Sequence, residues 1–221
     1  MSVNVRRDLV VALIGLALLL VWDLGAGDLW LIRPYADEEG FALRDHWFTR
    51  TVLHDGGRLL GYAMLAALLV NVWRPWTCKL TRAERWHWVG VTLLCVLLVP
   101  SLKQFSPSSC PWDLRQFGSV ATHLSHWRWT EPDGGPGRCF PSGHATAAFA
   151  FFSGYFALRH AYPGAARWWL AAVVIAGIAF GWGQMARGAH FASHTMWTAW
   201  LCWALCAACF ALLAPRAHAA P

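Results

Sequence analysis

The sequence predicts an all-α, polytopic membrane protein with six transmembrane helices and one interfacial amphipathic helix, in a single domain over residues 1–221. Hydrophobic residues make up 57% of the 221 residues and charged residues only 14%, whereas about a quarter of a soluble domain is charged. Apolar stretches recur along the whole chain, and the scarce charges separate by sign between alternate connecting segments. The composition excludes a soluble globule, a disordered chain, a collagen-like repeat and a small disulfide scaffold.

The first element is an apolar stretch after Arg6 and Arg7, and it indicates an uncleaved helix because no clear small-residue cleavage site follows. The charged stretch 37–58 keeps several apolar side chains and predicts an interfacial amphipathic helix that Gly56 and Gly57 end. Several later stretches are shorter than the roughly 20 residues that span a bilayer, which snorkelling arginines and interfacial tryptophans offset. The six crossings are predicted at about 9–32, 59–73, 86–102, 143–158, 168–186 and 191–214.

The charges predict the orientation of these crossings. Basic residues dominate the two termini and the connections 74–85 and 159–167, so the positive-inside rule makes these segments, and both termini, cytoplasmic. Ten of the twelve acidic residues fall in 23–57 or 103–142, which are then outside. The net charge of +6 is explained by this rule and indicates a bilayer, not a nucleic acid, as the partner. We expect a bacterial-type inner (plasma) membrane with the site on the periplasmic, outer side.

Two of the seven cysteines are separated from the rest by this topology. Cys110 and Cys139 share one outside loop, so in an oxidising compartment they are candidates for a disulfide, the alternative being two free thiols. Cysteines within the crossings are interpreted as buried apolar fillers, and they are Cys95, Cys202, Cys206 and Cys209.

Three polar clusters stand at the outer ends of the crossings. Lys103 ends the third crossing, residues 138–144 open the fourth, and residues 184–194 join the fifth to the sixth. The topology was assigned without reference to these clusters, yet it puts all three on one side. We therefore expect one shared site.

All three clusters contain residues that suit phosphate binding. Pro141 can begin a helix, and Ser142 and Gly143 would then present free N–H groups at its N-terminus. Lys103 and Arg187 would add positive charge, and an arginine can bind phosphate in a bidentate manner. The alternative for Lys103 and Arg187 is that they only anchor helix ends in the interface.

The histidines suit acid–base and nucleophilic chemistry. His144 could protonate a leaving oxygen, and His190 could take up a phosphoryl group. His190 and His194 would share a face of a helix, although His194 could simply cap it. A lone histidine near a membrane interface is more often structural, which is our interpretation of His46, His54, His87, His123, His126, His160 and His218.

The pattern resembles the type 2 phosphatidic acid phosphatases, the PAP2 superfamily of membrane lipid phosphatases. That family's motifs are Lys-x6-Arg-Pro, then Pro-Ser-Gly-His, then Ser-Arg-x5-His-x3-Asp, and their order and intervals match over roughly residues 59–205. The resemblance implies that Lys103 binds phosphate, Ser142 and Gly143 cradle it, His144 is the general acid and His190 the nucleophile. It also implies a phosphohistidine intermediate, no cofactor and no metal.

Three positions depart from those motifs. Cys110 and Pro111 stand where Arg-Pro is expected, so that one phosphate-binding arginine is missing, and Arg115 or Arg138 could substitute. Gln184 occupies the position of the third motif's arginine, and Arg187 lies one turn further on.

The third departure is His194, which stands where the family has an aspartate. Such an aspartate orients the histidine and stabilises its cation, whereas a neutral histidine orients it without supplying negative charge. No acidic residue follows Asp133, so a carboxylate must come from elsewhere, such as Asp55 or Asp113. The sequence leaves that choice open.

The leading hypothesis is a metal-independent lipid phosphatase or pyrophosphatase that acts at the outer face of the membrane. Undecaprenyl pyrophosphate, lipid A phosphate, phosphatidylglycerol phosphate and phosphatidic acid are the candidate substrates. The alternatives are a lipid-to-lipid phosphotransferase of the same fold, a catalytically degenerate scaffold, and a zinc site built from His144, His190 and His194. The oligomeric state does not follow from the sequence.

Overall fold

The N-terminal part of the chain is a bent pair of helices. The computed structural model describes residues 3–25 and 27–213. Helix α1 (Val3–Asp23) and helix α2 (Gly27–Ile32), with the 3-10 turn after it, meet at 79°. Helix α1 packs along the C-terminal helix of the chain. The end of the predicted sixth crossing at Ala214, and the basic residue Arg216, lie outside the described residues.

The predicted amphipathic helix over 37–58 is wrong in its first half and in its end. Two short antiparallel strands form a hairpin instead, β1 (Ala36–Asp37) and β2 (Gly40–Phe41), and Ala36 pairs with Phe41. The π-helical segment Phe48–Gly56 then runs without interruption into α3 (Gly57–Trp73). Both glycines have ordinary helical backbone angles, and a Cβ on Gly57 would lie 3.0 Å from the ring of Phe180. Here glycine permits close packing and does not end the helix.

Helix α4 (Arg82–Gln104) begins and ends with recognisable polar residues. Thr81 and Glu84 form a reciprocal capping box at its start, which satisfies two otherwise unpaired N–H groups. Lys103 stands in its last turn. Lys103 therefore lies at the C-terminal end of α4, the position that the sequence predicted for it.

The predicted fourth crossing is two short pieces, α5 (Thr146–Phe149) and α6 (Phe152–Leu158). Almost every residue from 145 to 156 is buried, and the pieces pack against α4, α7 and α8. Where they meet, Trp169 donates its indole N–H to the Phe151 carbonyl over 2.7 Å. A short apolar helix of this kind is typical of a buried core element and not of an independent crossing.

The last two helices are α7 (Pro163–Ala186) and α8 (Ala192–Leu212), joined by five residues. The main core lies among α3, α4, α6, α7 and α8. A smaller cluster lies beneath the hairpin and the long connection from α4 to α5, and includes Ile32, Phe41, Leu114 and Phe191.

Six crossings are not confirmed. By length and composition, four described helical stretches could cross a membrane, and a fifth is added if α1 and the bent piece after it form one span. The four are Phe48–Trp73, Arg82–Gln104, Pro163–Ala186 and Ala192–Leu212. The protein is thus a helical membrane protein, and its fourth predicted crossing is a shorter, broken and enclosed apolar stretch, Thr146–Leu158, that joins the end of the bundle at His144 to the end at Arg159.

The long connection 105–145 is held by a covalent bond and a buried carboxylate. Cys110 and Cys139 form the predicted disulfide, with Cα atoms 5.1 Å apart. Asp133 accepts hydrogen bonds from the backbone N–H and hydroxyl of Ser109 and from the N–H of Gly135. These bonds bring residue 139 back to the end of α4. The four other cysteines predicted to be fillers are buried and free.

Candidate functional site

His190 lies in the tight connection between α7 and α8. Gly188 has φ +74°, and a Cβ at this position would collide with the ring of Phe41. The Gln184 carbonyl accepts hydrogen bonds from the N–H groups of Ala189 and His190, at 2.9 and 3.3 Å, and so closes the end of α7. The connection therefore fixes the backbone of His190, whose side chain is almost fully buried.

His194 is the nearest titratable neighbour of His190. The two Nδ1 atoms are 3.4 Å apart, and the His190 Nδ1 is also 3.5 Å from the sulfur of Cys139. His194 lies in the first turn of α8, whereas His190 precedes the helix. The two histidines are close, as predicted, but they do not share a helical face, because His190 lies before the helix. Burial, and after it the charge of Lys103, hold the pKa of His190 well below its usual 6.5.

The segment from Pro141 to His144 is attached to the same turn of α8. The backbone N–H of Ser142 donates to the His194 carbonyl over 3.1 Å, and the Thr198 hydroxyl donates to the Ser142 carbonyl over 2.9 Å. Helix α5 begins only at Thr146. The prediction that Ser142 offers a free N–H at a helix start is therefore wrong, because that group is already used to position the segment.

His144 is in a separate environment from His190. Its Nε2 is 3.1 Å from the backbone carbonyl of His54, so Nε2 carries the proton, and its ring stacks on the His54 ring at 3.8 Å. Burial lowers the pKa of His144 from 6.5 to about 4. In the free protein His144 is thus neutral at pH 7.

Lys103 is close enough to both histidines for its charge to affect them. Its charge is among the influences that lower the pKa of both His190 and His144. A Cβ on Gly143 would be 3.8 Å from the Lys103 Cδ atom. The first and second predicted clusters therefore meet the third, as the topology predicted.

The three arginines predicted to bind phosphate lie in different parts of the structure. Arg187 is buried at the end of α7, where its Nε donates to the Arg44 carbonyl over 2.7 Å. Arg138 is exposed, with φ +56°. Arg115 is exposed and its Nε donates to the Val120 carbonyl of its own loop.

Arg58 is a basic residue near His144 that the motifs did not indicate. It lines a cavity together with Gly143 and His144, and its charge contributes to lowering the pKa of His144. Its position at the outer end of a predicted crossing was the one available signal.

Neither Asp55 nor Asp113 supplies the missing carboxylate. Asp55 pairs with the ring of His54 at 2.8 Å, and Asp113 accepts from the N–H of Cys110 at 3.2 Å. Burial raises the pKa of Asp113. In the described ranges 3–25 and 27–213, no hydrogen bond joins either carboxylate to His190 or His194.

Asp23, at the end of α1, is a carboxylate that side-chain contacts link to the histidine pair. Its Oδ2 accepts from the ring of His126 at 3.2 Å and from the indoles of Trp127 and Trp197. The rings of His126 and His194 meet edge to face at 6.1 Å. A path of contacts therefore runs from Asp23 through His126 and His194 to His190.

Two cavities flank the histidines. One of about 220 Å³ is mostly apolar, lies between α3 and α4, and ends at His144. The other, of about 360 Å³, is lined by Asp23, His126 and His194 among others. His144 thus borders a mostly apolar cavity, whereas His194 borders one of mixed polarity.

A zinc site from His144, His190 and His194 is not formed. Among the described residues, the one group of possible ligands close enough to share an ion is Cys139, His190 and His194. Cys139 is in the disulfide, whereas zinc binds cysteine as a thiolate.

The comparisons with known proteins give one match. Residues 85–217 match the family model of the PAP2 superfamily. No curated protein and no solved structure matches the chain significantly. The matched residues contain Lys103, the Pro141–His144 segment and the histidine pair, but not Asp23, Arg58 or the apolar wall formed by α3.

Proposed function

The chain belongs to the PAP2 superfamily, and from that premise we propose that it is a membrane phosphatase that hydrolyses a lipid phosphomonoester or pyrophosphate through a phosphohistidine at His190. Membership indicates activity on phosphate esters. The observation that carries the lipid assignment is the apolar cavity between α3 and α4, which ends at His144 beside Lys103. A lipid chain would occupy this cavity and leave its phosphate at the histidines.

His190 is the nucleophile in this proposal. Burial favours its neutral imidazole, which has the lone pair that attack requires. Its Nδ1 is close to His194 and Cys139, so we assign attack to Nε2. An Nε2–P bond forms as the bond from phosphorus to the leaving oxygen breaks.

His144 would protonate that leaving oxygen. Its pKa of about 4 in the free protein opposes this role, but a phosphate dianion beside it would raise the pKa by favouring the imidazolium form. Water then attacks the phosphohistidine, His144 takes one proton from it, and phosphate leaves as His190 is restored. Lys103, Arg58 and Arg187 are proposed to balance the phosphate charge, with Arg138 and Arg115 further away.

Asp23 is proposed to act indirectly in place of the aspartate that the family has at the position of His194. A positive charge on His190 during phosphoryl transfer would be stabilised by a carboxylate. The path through His126 and His194 brings the negative charge of Asp23 towards that position. Asp23 is thus a positioning residue, because it acts through two other side chains.

The outer, periplasmic location of the site is part of the proposal. The disulfide in the 105–145 connection is typical of an oxidising compartment. The basic residues of the opposite end follow the positive-inside rule, which favours a bacterial-type inner membrane with cytoplasmic termini.

The test is phosphate release by the purified protein in detergent, screened across the four candidate lipid phosphates. We expect release with at least one of them, and a loss of at least about 1,000-fold in kcat for His190→Ala. His160→Ala is the matched control, since His160 is exposed at the other end of the bundle. Equal release by wild type and His190→Ala would reject the assignment, and release from no lipid would favour a degenerate scaffold.

A phosphotransferase is the second candidate, and the 360 Å³ cavity beside His194, which has both polar and apolar walls, favours it. An acceptor hydroxyl in this cavity could replace water in the second step. Adding a lipid alcohol to the assay distinguishes the two, because transfer produces a new phospholipid in place of free phosphate.

A further inference from the structure

A second cavity with basic walls lies at the end of the bundle away from the histidines. It has a volume of about 270 Å³ and is formed by the start of α1, the end of α6 and the start of α7. Its polar lining consists of Asn4, Arg7, Tyr155, Arg159 and Arg167. Neither the family motifs nor the proposed reaction uses any of these residues.

The cavity has an ordered arrangement of charge. Arg159 forms an ion pair with the buried carboxylate of Asp8, and Arg7 donates to the Tyr155 hydroxyl over 2.6 Å. Three arginines against one aspartate leave a net charge of +2 around the cavity. An anion is therefore the complementary ligand.

Arg159 also has unused hydrogen-bonding capacity. Its side chain is only 10% exposed, and its Nε has no hydrogen-bond partner among the described residues. A buried donor without a partner is costly, and an anion in the cavity that Arg159 lines would satisfy it. This donor is independent evidence for a ligand, separate from the sum of charges.

The start of α7 strengthens the same preference. Pro163 is the first residue of this 24-residue helix and lines the cavity with Ala166. The first N–H groups of a helix have no partners within it and carry a partial positive charge. Pro163 has no N–H and the N–H of Ala166 donates to the Tyr162 carbonyl, so the helix start favours an anion through its partial positive charge alone.

This cavity is remote from the catalytic residues. The 24 residues of α7 separate Pro163 from the connection that holds His190, which corresponds to about 36 Å along the helix axis. A ligand there cannot contact a phosphate at His190.

We propose that this cavity binds the phosphate of an anionic lipid headgroup in the leaflet opposite the histidine site. A lipid is favoured over free phosphate because the cavity lies where α1 and α7 begin, at the level of headgroups if these helices cross the membrane. Trp168 beside it is 80% exposed, as expected of an interfacial tryptophan. Basic recesses between helix ends are suited to anionic headgroups.

The test compares the retention of phosphatidylglycerol and phosphatidylcholine by the purified full-length protein, measured by native mass spectrometry. The variant Arg7→Gln/Arg167→Gln removes two charges from exposed side chains and leaves the ion pair of Arg159 with Asp8 intact. The control Arg74→Gln/Arg82→Gln removes two exposed charges from the connection between α3 and α4 at the same end. We expect the phosphatidylglycerol concentration for half occupancy to rise at least fivefold in the first variant and to stay within twofold of wild type in the control.

Two results would overturn the proposal. One is equal retention of the anionic and the zwitterionic lipid by the wild type, or an equal loss in both double variants. The other is a rise in unfolding temperature with inorganic phosphate that is as large as with phosphatidylglycerol at the same concentration and that is lost in Arg7→Gln/Arg167→Gln, which would assign the cavity to free phosphate. Because lipid binding is read directly, the outcome does not depend on the phosphatase activity.

Discussion

Asp23 and His190 are 167 residues apart in the chain, and this distance explains why the motifs could not pair them. His190, His144 and Lys103 were predictable because each stands at a fixed interval from a neighbouring motif. Asp23, His126 and Arg58 belong to no such interval, and only packing of α1 and the long connection against α8 brings the first two together. The sequence did indicate that a carboxylate had to come from before residue 134.

The role of Asp23 can be tested with a double-mutant cycle. Asp23→Asn should lower kcat by about 10- to 100-fold, the usual cost of losing an outer-shell partner, with little change in KM. In a His194→Asp background, which restores a carboxylate four residues after His190, the same change should cost less than about threefold, because the two carboxylates would serve one purpose. Steady-state kinetics of the four proteins measure this coupling.

Glu131→Gln is the control for that cycle, because it alters an exposed carboxylate of the connection that contains His126, and this carboxylate pairs with Arg128 at the surface. It should leave kcat within about threefold of wild type. An equal loss from Asp23→Asn in both backgrounds would show that Asp23 only maintains the fold.

The depressed pKa of His144 predicts a dependence of stability on pH. The unfolded chain binds more protons at this position between about pH 6.5 and 4, so the free energy of unfolding falls as the pH falls through that window. The contribution is at most about 3 kcal/mol. His144→Gln should therefore show a shallower fall in unfolding temperature from pH 7 to pH 4 than wild type, while the exposed His160→Gln should match wild type. Parallel curves for wild type and His144→Gln would contradict the buried neutral state.

At the level of elements, long apolar helices were predictable and short ones were not. The crossings predicted at 86–102, 168–186 and 191–214 correspond to α4, α7 and α8 with extensions of a few residues, because a continuous apolar stretch suits only a helix in lipid. The segment 143–158 has the same composition but lies inside the bundle. Composition does not distinguish a residue covered by protein from one covered by lipid.

The connection 105–145 is the element whose integrity the site depends on most directly. Its disulfide, which spans 29 residues, keeps Cys139 beside His190, and such a bond contributes about 3 kcal/mol to stability. Cys110→Ser/Cys139→Ser should lower both the unfolding temperature and kcat, and a reductant should do the same to wild type. Cys78→Ser, which alters an exposed free thiol, should change neither. Unaltered activity after complete reduction, verified by mass spectrometry, would show that the site does not depend on the disulfide.

Ten of the twelve acidic residues and the disulfide lie at one end of the molecule, whereas basic residues outnumber acidic ones at the other end. This asymmetry predicts which thiols a membrane-impermeant maleimide reaches in intact cells. Cys78 is exposed at the basic end, so it should label only after permeabilisation. A cysteine introduced by Ser119→Cys in a Cys78→Ser background lies exposed in the connection 105–145 and should label without permeabilisation. The reverse pattern would invert the proposed orientation.

The bend between α1 and α2 places Asp23 and Asp28 on either side of a break, and both bind the end of α8: Asp23 through Trp197 and Asp28 through Ser193. The region that matches the family, residues 85–217, contains neither of them. A fragment trimmed to that region would keep the histidines and Lys103, yet it would lose its anionic counterpart and the wall that α3 provides for a lipid chain. The proposed reaction therefore requires a longer stretch of the chain than the part by which its family is identified.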